Sequence, residues 1–167
     1  MSISSSIKDE ISLKKFKEKV INDFRTVSLS RETSVQGRRE VLLGKGKFGI
    51  FGDGKELPQV VMGHFFKDGD YRSGYYRDQT LLMSQNLLSS REIFSAVYGH
   101  PDKVYEKMSG GRQMAGHFLT NTIDENNNWI DQTMQKNHIS DISPTASQMS
   151  RLVGLGLSLI HISEPTR

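Results

Sequence analysis

Apolar side chains recur with helical spacing near the start of the chain, while lysines occupy the positions between them. This pattern predicts an amphipathic helix over residues 13–24, with Ser6 at the first position of a capping box. The polar run over residues 28–43 predicts a second helix that ends at Gly44. The apolar stripe consists of Leu13, Phe16, Val20, Ile21 and Phe24.

The remaining pattern predicts further helices separated by turns. Residues 57–66 predict a buried helix entered through Pro58, and residues 80–88 and 91–98 predict two helices with a cap at Ser89. Residues 110–145 are rich in Asn, Ser, Thr and Asp, which predicts long surface loops. A last helix is predicted over residues 146–157.

Composition narrows the class of protein without identifying a function. Hydrophobic residues make up 35% of the chain and charged residues 25%, as in globular domains. The net charge of +3 is too small and dispersed to indicate nucleic-acid binding. We favour a solvated face over a phosphate-binding patch for the lysines of residues 14–19. With no cysteine, no secretory signal pattern and no apolar run of membrane-spanning length, the sequence predicts a soluble cytoplasmic protein.

The glycine-rich stretch over residues 44–56 contains two patterns that resemble phosphate-binding loops. Residues 44–49 fit G-x-G-x-x-G but lack a strand before them and a helix after them. Residues 49–55 fit the core of a nucleotide-binding P-loop, but Glu56 follows where that loop needs Ser or Thr. We interpret the stretch as a turn-rich loop at a subunit contact.

Three short segments carry residue types suited to binding and catalysis: residues 74–78, 111–118 and 141–148. Arg77 offers a planar fork that matches phosphate oxygens, and His117 can relay protons. Each segment also has a structural interpretation. Tyr76 and Arg77 can form a surface pair in a turn, His117 can be a structural hydrogen-bonding residue, and Ser143 can cap a helix whose first turn holds Pro144.

In this order, the segments Gly-Tyr-Tyr-Arg-Asp, Gly-Arg-Gln-Met-Ala-Gly-His-Phe and Asp-Ile-Ser-Pro-Thr-Ala-Ser-Gln resemble the alpha subunit of thiamine-diphosphate-dependent 2-oxoacid dehydrogenases. The closest resemblance is to the branched-chain (2-oxoisovalerate) type, including bacterial forms with fused alpha and beta halves. It implies an α/β thiamine-diphosphate-binding fold, of which residues 1–157 are an N-terminal fragment of mostly helices and loops. Residues 158–167 resemble a translated sequencing adaptor, so we expect a non-native tail there.

The resemblance also implies roles for individual residues. Tyr75, Tyr76 and Arg77 match positions around the cofactor diphosphate, and Ser143 and Thr145 match positions whose backbone meets the aminopyrimidine. His117 matches a loop that approaches the active site, where we expect it to line the pocket or act in catalysis. Positions matching Ile142, Pro144, Ser147 and Gln148 bind a monovalent cation, potassium, through hard neutral oxygen donors. The magnesium ligands and the glutamate that activates the cofactor lie outside this chain in the family.

The implied activity is the oxidative decarboxylation of a branched-chain 2-oxo acid with transfer of the acyl group to lipoyl groups. The implied partners are a beta subunit or fused beta half and a lipoyl-bearing acyltransferase, in a heterotetramer or homodimer. The fragment alone is expected to be inactive and to expose apolar residues that a partner covers. A rival hypothesis is a small non-enzymatic helical interaction module, whose basic N-terminal helix contacts acidic partners.

Overall fold

The structure is a computed structural model that describes residues 12–113 and 116–163. Its elements in chain order are α1 (Leu13–Leu42), α2 (Glu56–Phe65), β1 (Tyr71–Tyr75), α3 (Gln79–Ser84), α4 (Ser90–Val97), a 3-10 turn (Gln132–Met134), β2 (Asn137–Ile142) and α5 (Ser147–Ser163). Helices and a small parallel sheet are therefore combined in an α/β arrangement.

Helix α1 is one continuous helix, so the prediction of two helices is wrong. No glycine or proline interrupts the chain between the two predicted segments, and nothing else stops helical hydrogen bonding there. The side chain of Ser12 caps the helix by accepting a hydrogen bond from the Lys15 N–H. The predicted cap at Ser6 lies outside the described residues. Gly44, at φ +76°, follows the end of the helix as predicted.

The second half of α1, rather than its apolar stripe, packs on the rest of the chain. Its buried residues are small or polar: Ser30, Thr33, Ser34, Gly37 and Glu40. A Cβ on Gly37 would collide with the ring of Phe51, so glycine allows the glycine-rich stretch to pack directly on the helix. The stripe over residues 13–24 is exposed on all five of its apolar side chains.

Helix α2 has nearly the predicted bounds, but the prediction that it is buried is wrong. Only Glu56, Gln59 and Val60 are buried, whereas Leu57 and Phe65 are 65% and 75% exposed. Because the helix contacts α1 and α3 on one side alone, its second apolar face has no cover among the described residues. An apolar helix can be buried within its own chain or covered by another molecule. The sequence of the helix alone does not distinguish these two cases.

Helices α3 and α4 divide where the sequence predicts, although α3 is shorter than expected. It ends at Ser84, and Asn86 adopts the left-handed conformation at φ 58°, which a helix cannot contain. The cap of α4 at Ser89 is confirmed. The Ser89 side chain accepts from the Glu92 N–H, and the Glu92 carboxylate accepts from the Ser89 N–H.

Strands β1 and β2 pair in parallel, with Tyr71 opposite Asn137 and Tyr75 opposite Ile142. The Asp141 N–H donates to the Phe118 carbonyl on the other side of β2. The prediction of irregular structure over residues 110–145 is therefore wrong for residues 137–142. Neither strand alternates apolar and polar side chains, because both place polar residues in a hydrogen-bonded interior.

Helix α5 follows β2 after a short turn and begins at Ser147, one residue later than predicted. Ala146 has φ +68°, which excludes it from the helix, and α5 continues to Ser163 rather than ending at 157. Its apolar side chains at Met149, Val153 and Leu157 are more than half exposed. Within the described residues, none of the helices combines the length and the apolar character that crossing a bilayer requires.

Candidate functional site

The candidate site lies where the two parallel strands end side by side. Tyr75 is the last residue of β1, and its partner Ile142 is the last residue of β2. Residues 76–77 and 143–146 leave the sheet at this edge, so two of the three predicted segments meet here. Ligands of open parallel sheets bind outside the carboxyl ends of the strands, which is the position of these loops.

The Tyr-Arg segment forms a tight turn whose backbone is held from both sides. The Asp78 N–H donates to the Tyr75 carbonyl at 2.9 Å, and the Asp78 carboxylate accepts from the Tyr75 N–H at 3.0 Å. Gln59 donates to the Arg77 carbonyl, and a Cβ on Gly52 would collide with that same oxygen. The predicted turn is therefore confirmed, and it holds the backbone of Tyr76 and Arg77 in a fixed geometry, although both residues are half-buried rather than on the surface.

Arg72 anchors this turn to the sheet. Its side chain is 3% exposed, and Nη2 donates to Asp141 at 2.8 Å and to Asp78 at 2.9 Å. The Phe118 N–H donates to the second oxygen of Asp141, and this hydrogen bond connects the segment of residues 111–118 to the same cluster. Burial raises the pKa of Asp141, while the charge of Arg72 opposes that shift. One guanidinium thus joins β1, β2 and the turn.

Tyr75 and Tyr76 form a hydrogen-bonded pair, with 3.0 Å between their hydroxyl oxygens and 4.3 Å between their ring centroids. Hydrogen bonds with Tyr76 and then Thr145 lower the pKa of Tyr75. Burial, followed by the hydrogen bond with Tyr75, raises the pKa of Tyr76. Tyr76 therefore keeps its proton at neutral pH and stays a hydrogen-bond donor.

His117 brings the remaining predicted segment into the site. Its Nε2 forms a hydrogen bond with the Ser143 hydroxyl, and its ring centroid lies 5.9 Å from that of Tyr76. Its backbone N–H donates to the Gln113 side chain at 3.2 Å. His117 is thus a hydrogen-bonding residue, as its structural interpretation states, and it is also a neighbour of the Tyr-Arg turn. Met114 and Ala115 of this segment lie outside the described residues.

The segment resembling a monovalent-cation site turns from β2 into α5. The Pro144 carbonyl accepts from the Ser147 N–H at 3.2 Å and keeps a second lone pair. Gln148 Oε1 is buried and accepts no hydrogen bond from the described residues. Because a buried carbonyl oxygen is costly to leave without a partner, the donor set of Ile142, Pro144, Ser147 and Gln148 fits a cation. Ser143 does not cap α5, so that alternative is wrong.

Sequence reasoning missed the residues that hold the site together, above all Arg72 and its contacts with Asp78 and Asp141. His138, on β2, is fully buried and lies 3.2 Å from Arg72 Nη1, and desolvation, with the charges of Arg72 and Lys136, lowers its pKa to about 3. The sequence carries a weak indication that the side chain of Arg72 is buried, namely the glycine at position 74. Gly74 is two residues from Arg72 on the same face of β1, and a Cβ there would collide with the guanidinium.

An apolar cavity of about 40 Å³ lies behind Tyr76. Its walls include Phe51 from the glycine-rich stretch, Ile93 and Val97 from α4, and Gly116 next to His117. A single water needs about 10–15 Å³ by a comparable measure, so the cavity has room for a small aliphatic group. Tyr76 and Asp141 are polar residues in its lining.

The glycine-rich stretch does not form a phosphate-binding loop. Glu56 accepts one bifurcated hydrogen bond from the Gly54 N–H, and its two oxygens accept from Arg31 Nε and Nη2 at 2.6 and 2.9 Å. The amide that a phosphate needs is therefore taken by a carboxylate, in agreement with the rejection of the P-loop pattern. The stretch packs within the chain through Phe51, and its prediction as a subunit contact stays a prediction.

Among residues 12–113 and 116–163, there is no group of three or more His, Asp or Glu side chains that could hold a metal ion. The site therefore consists of the Tyr-Arg turn, His117 and the turn that leads into α5. A scan against protein-family models and searches of curated proteins and solved structures found no match to this chain.

Proposed function

We propose that this chain is part of the decarboxylating component of a thiamine-diphosphate-dependent 2-oxoacid dehydrogenase. The observation that carries the proposal is the convergence of three segments distant in sequence, centred on Tyr76, His117 and Ser143. A resemblance of short motifs alone gives no reason for their side chains to meet. Their contact at the carboxyl ends of parallel strands supports a shared ligand site.

The residues fit the two ends of the cofactor. Arg77 and the protonated Tyr76 offer a cation and a hydroxyl donor to a diphosphate. Arg77 Nε is buried and has no hydrogen-bond partner among the described residues, so a donor is available there. Ser143 and Thr145 occupy the exposed loop beside them, where their backbone can meet the aminopyrimidine. When bound, thiamine diphosphate supplies the carbon nucleophile that attacks a 2-oxo acid.

The remaining groups suit substrate and proton handling. His117 lies beside Tyr76, where its imidazole can orient a substrate carboxylate or move a proton at Nε2. The cavity behind Tyr76 suits the aliphatic part of a branched-chain 2-oxo acid. Magnesium ligands and the activating glutamate come from elsewhere in the proposed enzyme, as does the lipoyl-bearing acceptor. We propose that a beta half covers the apolar faces of α2 and α5.

The test is calorimetric titration of the chain with thiamine diphosphate, comparing Arg77→Ala with Arg91→Ala. A hydrogen bond to a charged group contributes about 1.5–3 kcal/mol, so losing Arg77 should weaken binding about 10- to 150-fold. The Arg91→Ala substitution removes the same charge from an exposed site, where the guanidinium lies over the ring of Tyr105, and it should leave the affinity for thiamine diphosphate unchanged. Equal affinities in both variants would refute the assignment of Arg77.

One observation favours the rival hypothesis of a non-enzymatic interaction module. The first turns of α1 project from the rest of the chain, with Leu13, Phe16 and the neighbouring lysines all exposed. The affinity for an acidic partner there would fall strongly as the salt concentration increases, and adding thiamine diphosphate would not change it. The same titration therefore separates the two functions.

A further inference from the structure

We propose that Glu106 is a positioning residue that sets the place of His117 through a relay of hydrogen bonds. The inference rests on the proposed function only for the use made of His117, because the relay itself is defined by contacts within the chain. Glu106 lies in the loop after α4, 11 residues before His117 in the sequence.

The first part of the relay is a buried carboxylate that organises a loop. Glu106 is fully buried, and its Oε2 accepts from the N–H groups of Ser109 and Gly111 at 2.7 and 2.8 Å. Oε1 accepts from the Met108 N–H at 3.0 Å. Burial opposes ionisation, but the hydrogen bonds from Gly111, Ser109 and Met108 outweigh it and lower the pKa of Glu106. A charged acceptor therefore replaces water for four donors, including the Ser109 hydroxyl.

The second part passes from Ser109 to His117. The Ser109 hydroxyl donates to Glu106 at 2.8 Å and accepts from the Arg112 and Gln113 N–H groups at 3.0 and 3.1 Å. The Gln113 side chain then accepts from the His117 N–H at 3.2 Å. The hydrogen bond to Glu106 orients the Ser109 hydroxyl. Because its hydrogen points to Glu106, the lone pairs of its oxygen face the N–H groups of the loop.

Backbone conformation shows that the loop is held tightly. Gly110 and Gly111 have φ values of 62° and 74°, and a Cβ on Gly111 would collide with the carbonyl oxygen of Gly99. Such a turn excludes other residues and presses the loop against the end of α4. A loop fixed at Glu106 therefore delivers Gln113 to a defined place, and with it the backbone of His117.

The readout must report the place of His117 without relying on catalysis or on the cofactor. The His117 and Tyr76 rings, 5.9 Å apart between centroids, should give a nuclear Overhauser cross-peak in the full chain. A His117→Gln variant assigns that cross-peak by removing it. Glu106→Gln places amide hydrogens against backbone donors and should abolish the cross-peak, while far-UV circular dichroism stays helical.

The matched control is Asp131→Asn, because Asp131 also accepts a backbone N–H, from Thr133, but caps the 3-10 turn without contacting the relay. It should leave the cross-peak intact. If Glu106→Gln fails to fold, Ser109→Ala interrupts the relay while keeping the buried carboxylate, and it should weaken the cross-peak at least twofold. An unchanged cross-peak in folded Glu106→Gln or in Ser109→Ala would overturn the inference. Failure of thiamine diphosphate to bind would overturn the proposed function and leave the relay intact.

Discussion

Replacing Arg72 with Met tests whether one buried guanidinium holds the sheet and the site together. The substitution keeps most of the side-chain volume but leaves Asp141, whose side chain is 3% exposed, without its cation. Removing one partner of a buried ion pair costs about 3–5 kcal/mol. That is a large share of the roughly 5–15 kcal/mol by which a domain of this size is stable.

The double variant Arg72→Met, Asp141→Leu separates the ion pair from the packing. It removes both charges but leaves the Phe118 N–H without its acceptor, at a cost of about 1–3 kcal/mol. We therefore expect the double variant to be more stable than Arg72→Met alone. Because burial raises the pKa of Asp141, protonation should relieve part of the penalty in Arg72→Met as pH falls.

Urea unfolding followed by far-UV circular dichroism measures these differences, since α1 and α5 dominate the signal. A fall of less than about 1 kcal/mol in the free energy of unfolding of Arg72→Met, or a double variant less stable than the single one, would contradict this role of the ion pair. If the proposed function is correct, thiamine diphosphate should bind neither variant well, because Arg72 also contacts Asp78 and the Tyr75 carbonyl in the Tyr-Arg turn.

Three further changes test the roles of Gly74, His138 and Gln148. Gly74→Ala should cost about 1–3 kcal/mol in urea unfolding because its Cβ collides with the Arg72 guanidinium, and a neutral effect would show that Arg72 lies elsewhere. Because the pKa of His138 falls from 6.5 to about 3 on folding, the unfolded chain binds a proton that the folded chain excludes between these values. The free energy of unfolding should therefore fall as pH drops through this range, by up to about 1.4 kcal/mol per pH unit. The His138→Gln variant should show a weaker dependence of this free energy on pH, and the same dependence in both proteins would contradict this. If potassium binds Gln148 Oε1, KCl should raise the melting temperature above that in choline chloride, and Gln148→Leu should remove the difference; an equal rise in the variant would contradict it.

Helices with local end signals could be predicted from the sequence. The capping box at Ser89 and the glycine after α1 lie within a few residues of what they terminate, so they need no knowledge of the fold. The break predicted inside α1 had no such signal and did not occur. The exposed stripe of α1 carries the same pattern as a buried one, because periodicity reports amphipathicity and not what covers it.

The strands and the centre of the site could not be predicted in this way. β1 contains Arg72 and Gly74 where an apolar residue is expected, because a buried ion pair across the sheet replaces hydrophobic packing. The partners of Arg72 lie 6 and 69 residues away, and no short-range pattern connects them. The resemblance names Tyr76, His117 and Ser143, which lie in contact in the structure, and their roles in a site stay predictions.

We propose that three segments distant in sequence form one binding site for thiamine diphosphate. The most direct test is a nuclear magnetic resonance titration of the full chain with thiamine diphosphate. We expect chemical-shift changes concentrated at Tyr75–Arg77, His117 and residues 143–148, and we expect them to saturate together with one dissociation constant. Shifts confined to the lysines of residues 14–19, or the absence of saturable shifts at all three segments, would contradict it.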